Sequence, residues 1–395
     1  MTDAFMPLLR DGLDPVPELA LRRANAPVSK LEFPFGISAW LITGYDDVKS
    51  VLAAAPDKYS NDFSRLAAVA GEQTATAPDP GGLGFADPPH HTRLRKLLTP
   101  EFTMRRLARL KPLIADIVEQ RLDAMEQAGP TVDLVELFAM PIPSLVICEL
   151  LGVPYEDRDD FQRLSESRFD LFGNLGDPMG AITESLKYLT GLVEKERVNP
   201  GEGMLGMLVR DHGDDITDAE LAGLADGLLT GGHETTASML ALGTIVLLQR
   251  PDLADRLREG DEDTDAIVEE LLRYLTVVQV AFPRFAREDI VIGGQQIAAG
   301  DMVLCSLSSA DRDDRLVPTP DTVDPANAST AHLAFGFGFH RCVGAELAKM
   351  ELRAAFPALV RRFPDLRVAV DWTEVTFREY SIVHGVDTLP VTWGS

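Results

Sequence analysis

The sequence has few cysteines and few basic residues, and each shortage excludes a class of protein. Its 395 residues include only three cysteines, Cys148, Cys305 and Cys342, which cannot form a disulfide framework and agree with a reducing compartment. The 37 lysines and arginines are outnumbered by 62 acidic residues, and the formal net charge is −25. This excess of negative charge argues against binding to nucleic acid or to an anionic membrane surface.

Long apolar runs and targeting signals are missing as well. The longest apolar candidate, residues 239–248, is closed by Gln249 and Arg250 and falls well short of the roughly 20 residues that span a bilayer. Residues 1–18 contain acids and prolines, without the basic-then-apolar pattern of a signal peptide. We therefore expect a soluble, cytoplasmic protein, for which 45% apolar residues are ample to build a large core.

Periodicity predicts a mainly α protein of the α+β class, folded as a single domain over residues 1–395. Helical spacing dominates about residues 90–275 and returns at residues 343–362. Strand-like patterns occupy three shorter parts, at about residues 28–43, 277–307 and 366–393. Residues 67–87 are rich in Ala, Pro, Gly and Thr and have little periodicity, which is typical of a lid or a binding loop.

The stretch around Cys342 has the most distinctive local chemistry. Residues 335–344 read FGFGFHRCVG and lead directly into the helical pattern that follows. Glycine allows the backbone to take positive φ or to pass close to a bulky group. A cysteine at the start of a helix receives free N–H groups and the positive end of the dipole, and His340 and Arg341 add positive charge. The pattern predicts an anionic sulfur beneath a flat object.

A zinc site is the first alternative to consider for this cysteine. No second cysteine lies near Cys342, and the histidines lack metal-ligand spacing among themselves. A single thiolate beneath a planar macrocycle suits a haem better. Cys148 and Cys305 lie in apolar runs and are expected to be buried as small apolar side chains.

A second motif lies in the middle of a very long predicted helix, which a capping box at Thr217 and Glu220 should open. Residues 230–236 read TGGHETT, and glycine or a buried polar side chain is unfavourable inside a helix. Glu234 and Thr235 offer a carboxyl group and a hydroxyl for relaying protons, while the paired glycines would let the helix open towards a small ligand. The alternative is a kinked packing helix with a satisfied polar cluster.

A third motif is an acid and a base three residues apart on one helix, Glu270 and Arg273. Such pairs are common on helix surfaces and carry little information alone. In the order and rough separation that they have here, the three motifs resemble the cytochrome P450 family, in its soluble bacterial form. The resemblance covers nearly the whole chain, from the strand around Trp40 to the carboxyl terminus.

The resemblance implies the P450 fold, in which a long central helix and a cysteine loop sandwich haem b, with a small β-rich region. It implies Cys342 as the axial iron ligand, Thr235 and Glu234 as the proton relay, and Glu270 with Arg273 as a buried structural pair. His91, Arg95, Arg284 and His340 would meet the haem propionates. The full set of implied cofactor-binding residues is His91, Arg95, Gly231, Gly232, Arg284, Phe335, His340, Cys342 and Gly344.

The sequence departs from the family pattern in one place. The family usually has an arginine shortly before the cysteine loop that joins the Glu-Arg pair, whereas this chain has Asn327. The family's Asn-Arg-Asp stretch appears only as Asp311-Arg312-Asp313. These differences put the triad in doubt and leave the chemistry at iron untouched.

The implied activity is that of a monooxygenase, which inserts one oxygen atom of O2 into a C–H or C=C bond of a lipophilic molecule, for example by hydroxylation, in secondary metabolism or catabolism. Electrons would come from NAD(P)H through a reductase and a ferredoxin, and we expect a monomer. The basic residues of the segment 91–111, with Arg341, Lys349 and Arg353, form the expected ferredoxin dock, a solvated helix face being the alternative. Expected substrate contacts are Leu83, Phe85, Leu228, Leu229, Val278, Val280, Phe282, Ile382 and Val383.

Three other activities remain open at this point. One is an oxidase or coupling enzyme with the same haem, and a second is a peroxide-driven enzyme that needs no redox partner. The third is a haem sensor without turnover, which would have no need of a proton relay.

Overall fold

The computed structural model describes residues 5–33, 37–62, 65, 83–154, 157–158 and 178–394. Its helices are α1 Pro17–Asn25, α2 Tyr45–Ala53, α3 His90–Leu98, α4 Met104–Leu107, α5 Lys111–Ala128, α6 Pro141–Leu151, α7 Pro178–Val198, α8 Met204–His212, α9 Asp218–Gln249, α10 Pro251–Glu259, α11 Thr264–Leu275, α12 Leu307–Ala310 and α13 Ala345–Arg362. None of these helices combines the length and apolar character needed to cross a membrane.

Helix α9 is the centre of the fold. It runs unbroken for 32 residues and is buried along most of its length. Thr217 and Glu220 form the predicted capping box at its start, with the Glu220 N–H donating to the Thr217 hydroxyl over 3.3 Å. Helices α6, α7 and α13 pack along it. At Gly243 a Cβ would collide with the ring of Phe356 in α13, so glycine is what allows these two helices to approach closely.

The described part of the chain also contains twelve short strands, arranged in four sheets. They are β1 Arg10–Asp11, β2 Asp14–Pro15, β3 Val28–Glu32, β4 Ser38–Ile42, β5 Tyr59–Ser60, β6 Thr131–Asp133, β7 Arg284–Ala286, β8 Ile290–Ile292, β9 Gln295–Ile297, β10 Met302–Cys305, β11 Arg367–Val368 and β12 Pro390–Thr392. The largest sheet has five strands in the order β3-β4-β10-β7-β5, with β10 parallel to β4 and the other pairs antiparallel. Strand β7 of this sheet begins with Arg284, which lies near His340 of the cysteine loop.

Two parts of the strand prediction differ from the structure. Strand β6 lies inside the region expected to be helical, because Gly129 and Pro130 end α5 and the following residues pair with β12 at the far end of the chain. Strands β1, β2 and β5 also lie outside the predicted β-rich parts. Most of the predicted binding loop, residues 66–82, lies outside the described residues, and Leu83–Phe85 forms a 3-10 turn.

Candidate functional site

The cysteine loop joins a 3-10 turn, Gly338–His340, to the start of α13. Gly336 and Gly338 have φ of +67° and +68°, the left-handed conformation that was expected of glycine here. A Cβ on Gly338 would lie 2.5 Å from the carbonyl oxygen of Leu52, so the loop rests directly on the backbone of α2. The Cys342 N–H donates to the Phe335 carbonyl over 2.9 Å and closes the loop.

The thiol of Cys342 meets the donors that its position predicts. Backbone N–H groups of Gly344 and Ala345 bond to it, and Arg95 and Arg341 add positive charge. Burial outweighs them, however, and raises the pKa of Cys342 above its usual value. The donors expected for an anionic sulfur are therefore present, but burial has the larger effect and favours the neutral thiol. A metal cation bound at Sγ would reverse this preference. The residue as a whole is exposed, while its sulfur is enclosed closely enough for desolvation to have the largest effect.

His91 of α3 is buried beside this loop. Its ring lies 4.1 Å from the ring of Phe339 and 4.3 Å from that of His340, between centroids. Among the described residues, neither ring nitrogen has a hydrogen-bond partner. Burial, followed by the charges of Arg95 and Arg284, lowers the pKa of His91 to about 4. A buried group without a partner is costly, so these nitrogens fit a ligand that accepts hydrogen bonds.

The other three predicted propionate ligands converge on the same place. Arg284 is buried, and its Nη1 donates a hydrogen bond to Oδ1 of Asn61. Within the described residues, its Nε has no partner. Burial, Arg284 and His91 lower the pKa of His340 to about 2. Arg95 donates to the Arg341 carbonyl over 2.9 Å, and burial lowers the pKa of Arg95.

Arg95 and Arg284 lower the pKa of both histidines, and burial lowers the pKa of the two arginines themselves, which two carboxylates of a haem would relieve. The residues therefore fit the predicted cofactor. Asn61, on the loop after β5, belongs to this cluster, and nothing in the sequence marks it.

The glycine pair of α9 divides into two roles. A Cβ on Gly232 would lie 3.0 Å from Cδ1 of Ile147 in α6, so this glycine serves helix packing. A Cβ on Gly231 would meet nothing within 4 Å, and the Thr235 hydroxyl donates to its carbonyl oxygen over 2.7 Å. The opening of the helix that we expected is not seen, because glycine permits a break in the hydrogen-bond ladder without requiring one.

Glu234 is buried and has a partner that the sequence did not reveal. Arg378, on the carboxyl-terminal segment, donates from Nη1 to Oε1 of Glu234 over 2.9 Å. Burial raises the pKa of Glu234 to about 7, with Arg378 opposing the rise and Asp387 adding to it. A carboxyl group with a pKa near neutrality can both give and take a proton.

Glu270 and Arg273 form the predicted pair at full burial. Arg273 donates to both carboxylate oxygens over 2.8 Å and also binds the backbone carbonyls of residues 311, 320 and 322. The Asp324 N–H donates to Oε1 of Glu270 over 2.9 Å. Asn327 instead bonds Thr319 over 2.9 Å, so backbone groups complete the pair where the family pattern has an arginine.

The predicted substrate residues differ in their packing and in their exposure. Phe85 and Phe282 pack against each other at 4.6 Å between ring centroids, and Val278 pairs with Val383 in an isolated bridge. Phe282 and Ile382 are the most exposed of the set, and Leu83, Leu228 and Val280 are half-buried. Leu229 is fully buried in the main core, so its prediction as a substrate contact is wrong: it lies on the packed face of α9.

The expected docking residues also need one correction. Lys349 is buried and binds Glu269 over 2.6 Å, with its Nζ 5.6 Å from the ring centroid of Phe335. Arg353 is paired with Asp265. Burial would raise the pKa of Glu269, but hydrogen bonds from His332 and Lys349 lower it to about 2. Lys349 is therefore an internal partner of a carboxylate and cannot meet a docking protein.

Comparison with known proteins supplies the context for this site. The Cytochrome P450 family model matches residues 33–204 and 202–368. "Cytochrome P450 165C4" of Amycolatopsis orientalis is 46% identical over 79% of this chain and 77% of its own length. "Nocardicin C N-oxygenase" of Nocardia uniformis subsp. tsuyamanensis is 40% identical over 97% of this chain and 96% of its own length.

Among solved structures, OxyC, described as a cytochrome P450 implicated in an oxidative C–C coupling reaction during vancomycin biosynthesis, superimposes with a TM-score of 0.88. It is 40% identical and covers 98% of this chain and 96% of its own.

Proposed function

This chain belongs to the cytochrome P450 family and is a haem-thiolate monooxygenase of secondary metabolism, and from this premise we propose the roles of its residues. Cys342 ligates the haem iron, and His91, Arg95, Arg284 and His340 hold the propionates. The main support is the set of buried nitrogens without partners, both in the His91 ring and at Nε of Arg284.

Haem, when bound, supplies the activation of O2 and the transfer of one oxygen atom to the substrate. The chain supplies the rest. The N–H groups of Gly344 and Ala345 hold Sγ of Cys342, and Phe335 and Gly344 shape the loop around it. Residues 1–395 act as one domain, which is supported by Val278, since this side chain packs against both the main core and the second core that holds Val28 and Ile42.

Proton delivery falls to Thr235 and Glu234. The Thr235 hydroxyl lies one helical turn from Gly231, on the same side of α9, where the missing side chain leaves open space. Glu234, with a pKa of about 7, is suited to reload that hydroxyl with protons near neutral pH. Because Gly231 has no side chain, it leaves open space on this side of the helix for O2.

The axial ligand is tested by replacing Cys342 with histidine. The reduced, CO-bound wild type should show the red-shifted Soret band of a thiolate-ligated haem, and Cys342→His should lose it. Cys305→Ala removes a buried cysteine of β10, outside the loop, and should keep the band. A band that survives in Cys342→His would disprove the ligand assignment.

The relay is tested by measuring how much product forms for each electron pair consumed. Thr235→Ala should uncouple electron uptake from product formation by about 10-fold or more, within the range of general acid–base effects. Thr235→Ser retains the hydroxyl and should recover most of the coupling. Equal coupling in Thr235→Ala and wild type would remove Thr235 from the relay.

Electrons come from NAD(P)H through a reductase and an acidic ferredoxin. The exposed cations Lys96, Arg105, Lys111 and Arg341 offer a basic surface on an acidic protein, and this charge contrast supports docking there. Arg105→Glu with Lys111→Glu should slow reduction of the haem by the ferredoxin about 10-fold at low salt, whereas Lys58→Glu should not. Equal rates in both variants would exclude this dock.

The substrate is a lipophilic molecule that contacts Phe85, Phe282, Val278 and Val383 in a monomeric, cytoplasmic enzyme. A second candidate is oxidative coupling, because OxyC, at 40% identity, is named for such a reaction. A screen for Soret shifts identifies compounds that enter the pocket. Mass spectrometry of the product then separates the two reactions, since oxygen insertion adds one oxygen atom and coupling removes two hydrogens.

A further inference from the structure

The carboxyl-terminal part of the chain forms a hairpin against the central helix. Phe377 and Val386 pair in an antiparallel bridge, and the Arg378 N–H donates to the Gly385 carbonyl over 2.8 Å. We use the name C-terminal hairpin for residues 377–386. No local sequence motif marks it, although it brings Arg378 within hydrogen-bond distance of Glu234, 144 positions earlier in the chain.

The hairpin is held in one position by the rest of the fold. The Gln279 N–H donates to the Ile382 carbonyl over 2.9 Å, and the His384 N–H donates to that of Val277 over 2.8 Å. A Cβ on Gly385 would lie 2.6 Å from Oγ of Ser238 in α9, so the hairpin backbone touches the central helix one turn beyond Glu234. The hairpin that bears Arg378 is thus held in place on both sides, by the segment before β7 and by the central helix.

Arg378 binds two carboxylates that differ in environment. Its Nη1 meets Oε1 of buried Glu234 at 2.9 Å, and its Nε meets Oδ1 of exposed Asp387 at 2.5 Å. Thr235, next to Glu234 on the helix, bonds instead to the Gly231 carbonyl, so the two members of the relay have separate partners. One cation is therefore shared between a carboxylate of the relay and a carboxylate at the surface.

We propose that Arg378 is a positioning residue of the monooxygenase, which fixes the Glu234 carboxylate and sets the pH at which it exchanges protons, with Asp387 tuning its strength. The inference rests on the proposed role of Glu234 as the relay acid. Within the described residues, no hydrogen bond or ion pair joins Arg378 to Thr235 or to Cys342.

The charges around Glu234 predict the direction in which its titration should shift in each variant, whereas a purely structural role of Arg378 predicts no direction. Arg378 favours the charged carboxylate, whereas Asp387 disfavours it. The nearby histidines are neutral over the working range, because burial lowers the pKa of His233 to about 4 and that of His384 to about 3. Removing Arg378 and removing Asp387 should therefore shift the titration of Glu234 in opposite directions.

The experiment follows the carboxyl C=O stretch of Glu234 in the holoenzyme by infrared difference spectroscopy against pH, with Glu234→Gln to identify the band. Arg378→Gln should raise the midpoint by about 1–3 pH units, the usual effect of a close opposite charge. Asp387→Asn should lower it by a smaller amount, since Asp387 is exposed and screened. Arg378→Lys should stay close to wild type, and Glu379→Gln, an exposed neighbour on the hairpin, should not move the midpoint.

The same variants are then compared in turnover. The alkaline limb of the pH profile of coupled product formation should follow the infrared midpoints, upward in Arg378→Gln and downward in Asp387→Asn. Shifts of the same sign in both variants, or no shift in either, would overturn the proposal. Should Arg378→Gln fail to fold with haem, the downward shift in Asp387→Asn decides alone.

Failure of the relay itself gives a different result. If Glu234→Gln forms product with wild-type coupling and pH profile, Glu234 is not the relay acid and the proposed function loses that residue. The infrared midpoints of Arg378→Gln and Asp387→Asn would still move, because they report the ion pair without turnover.

Discussion

Two carboxylate–guanidinium pairs occupy different regions of this molecule, and they are built differently. Glu270 and Arg273 lie on one helix, make two parallel hydrogen bonds of 2.8 Å and have their remaining polar atoms bound by backbone groups. Glu234 and Arg378 come from distant parts of the chain and share a single hydrogen bond of 2.9 Å. The first pair is fully buried, whereas in the second only Glu234 is buried and Arg378 is partly exposed.

The difference teaches how to distinguish a structural pair from a functional one. In the first pair the guanidinium grips both carboxylate oxygens and its other donors are bound by backbone carbonyls, which fixes the geometry of the segments it joins. A singly bonded carboxylate whose pKa is raised to about 7 remains able to exchange one. The first pair therefore fixes the segments before the cysteine loop, and the second can take part in chemistry.

The largest effect is expected at the structural pair. Arg273→Ala leaves Glu270 buried without its cation and frees the carbonyls of residues 311, 320 and 322, which should lower the free energy of unfolding by about 3–5 kcal/mol. Denaturant unfolding of the holoenzyme measures it. Arg362→Ala, which removes a surface cation from three acids, should cost about 1 kcal/mol or less. Similar losses in both variants would contradict the distinction.

An intermediate effect is expected at Glu234, and it depends on pH. Its pKa rises from 4.5 in the unfolded chain to about 7 in the fold, so the folded state keeps a proton that the unfolded state releases. Stability relative to Glu234→Gln should therefore fall as pH rises from about 4.5 to 7, by roughly 3 kcal/mol at one unit per 1.36 kcal/mol. Unfolding curves of both proteins at several pH values check this.

Glu269 is the internal control for that measurement. Its pKa is lowered to about 2, so its stabilising contribution is present above 4.5 and is lost as pH falls towards 2. Glu269→Gln should therefore differ from wild type in a window that does not overlap that of Glu234. A Glu234 effect confined to the acid range would mean that the fold stabilises its carboxylate, as it does that of Glu269, and would contradict the prediction.

The smallest effect is expected at Asn327. Restoring the family's arginine with Asn327→Arg should change stability by less than about 0.5 kcal/mol, because the Asp324 N–H and the three carbonyls already satisfy Glu270 and Arg273. Thermal unfolding with Asn327→Ala as the partner variant measures this. A marked gain in Asn327→Arg alone would show that the backbone is an incomplete substitute.

Local signals in the sequence were enough for the helices and the cysteine loop. Helix α13 lies within the stretch 343–362 where helical spacing returns, and Gly336 and Gly338 of the loop take the conformation that only glycine adopts readily. These features depend on neighbours within a few residues. They could be predicted because the physics that determines them acts over the same short range.

The remaining features depend on contacts between distant segments. Arg378 reaches Glu234 across 144 positions, and β6 forms only because β12 lies beside it. Leu229 and Lys349 were assigned to a pocket and to a docking surface because of their residue types. Both are buried, because tertiary packing determines which way each side chain faces. Periodicity cannot supply that information, and Asn61 beside Arg284 had no signal at all.

The contact between Gly338 and the Leu52 carbonyl makes the two positions unequally tolerant of change. Only the backbone of Leu52 takes part in this approach, and every amino acid has a carbonyl oxygen. At position 338, any side chain adds a Cβ at 2.5 Å from that oxygen and requires a positive φ as well. In a library randomised at both positions, residue 52 should accept other apolar side chains while residue 338 remains glycine. This contact should therefore restrict the choice of amino acid at only one of the two positions.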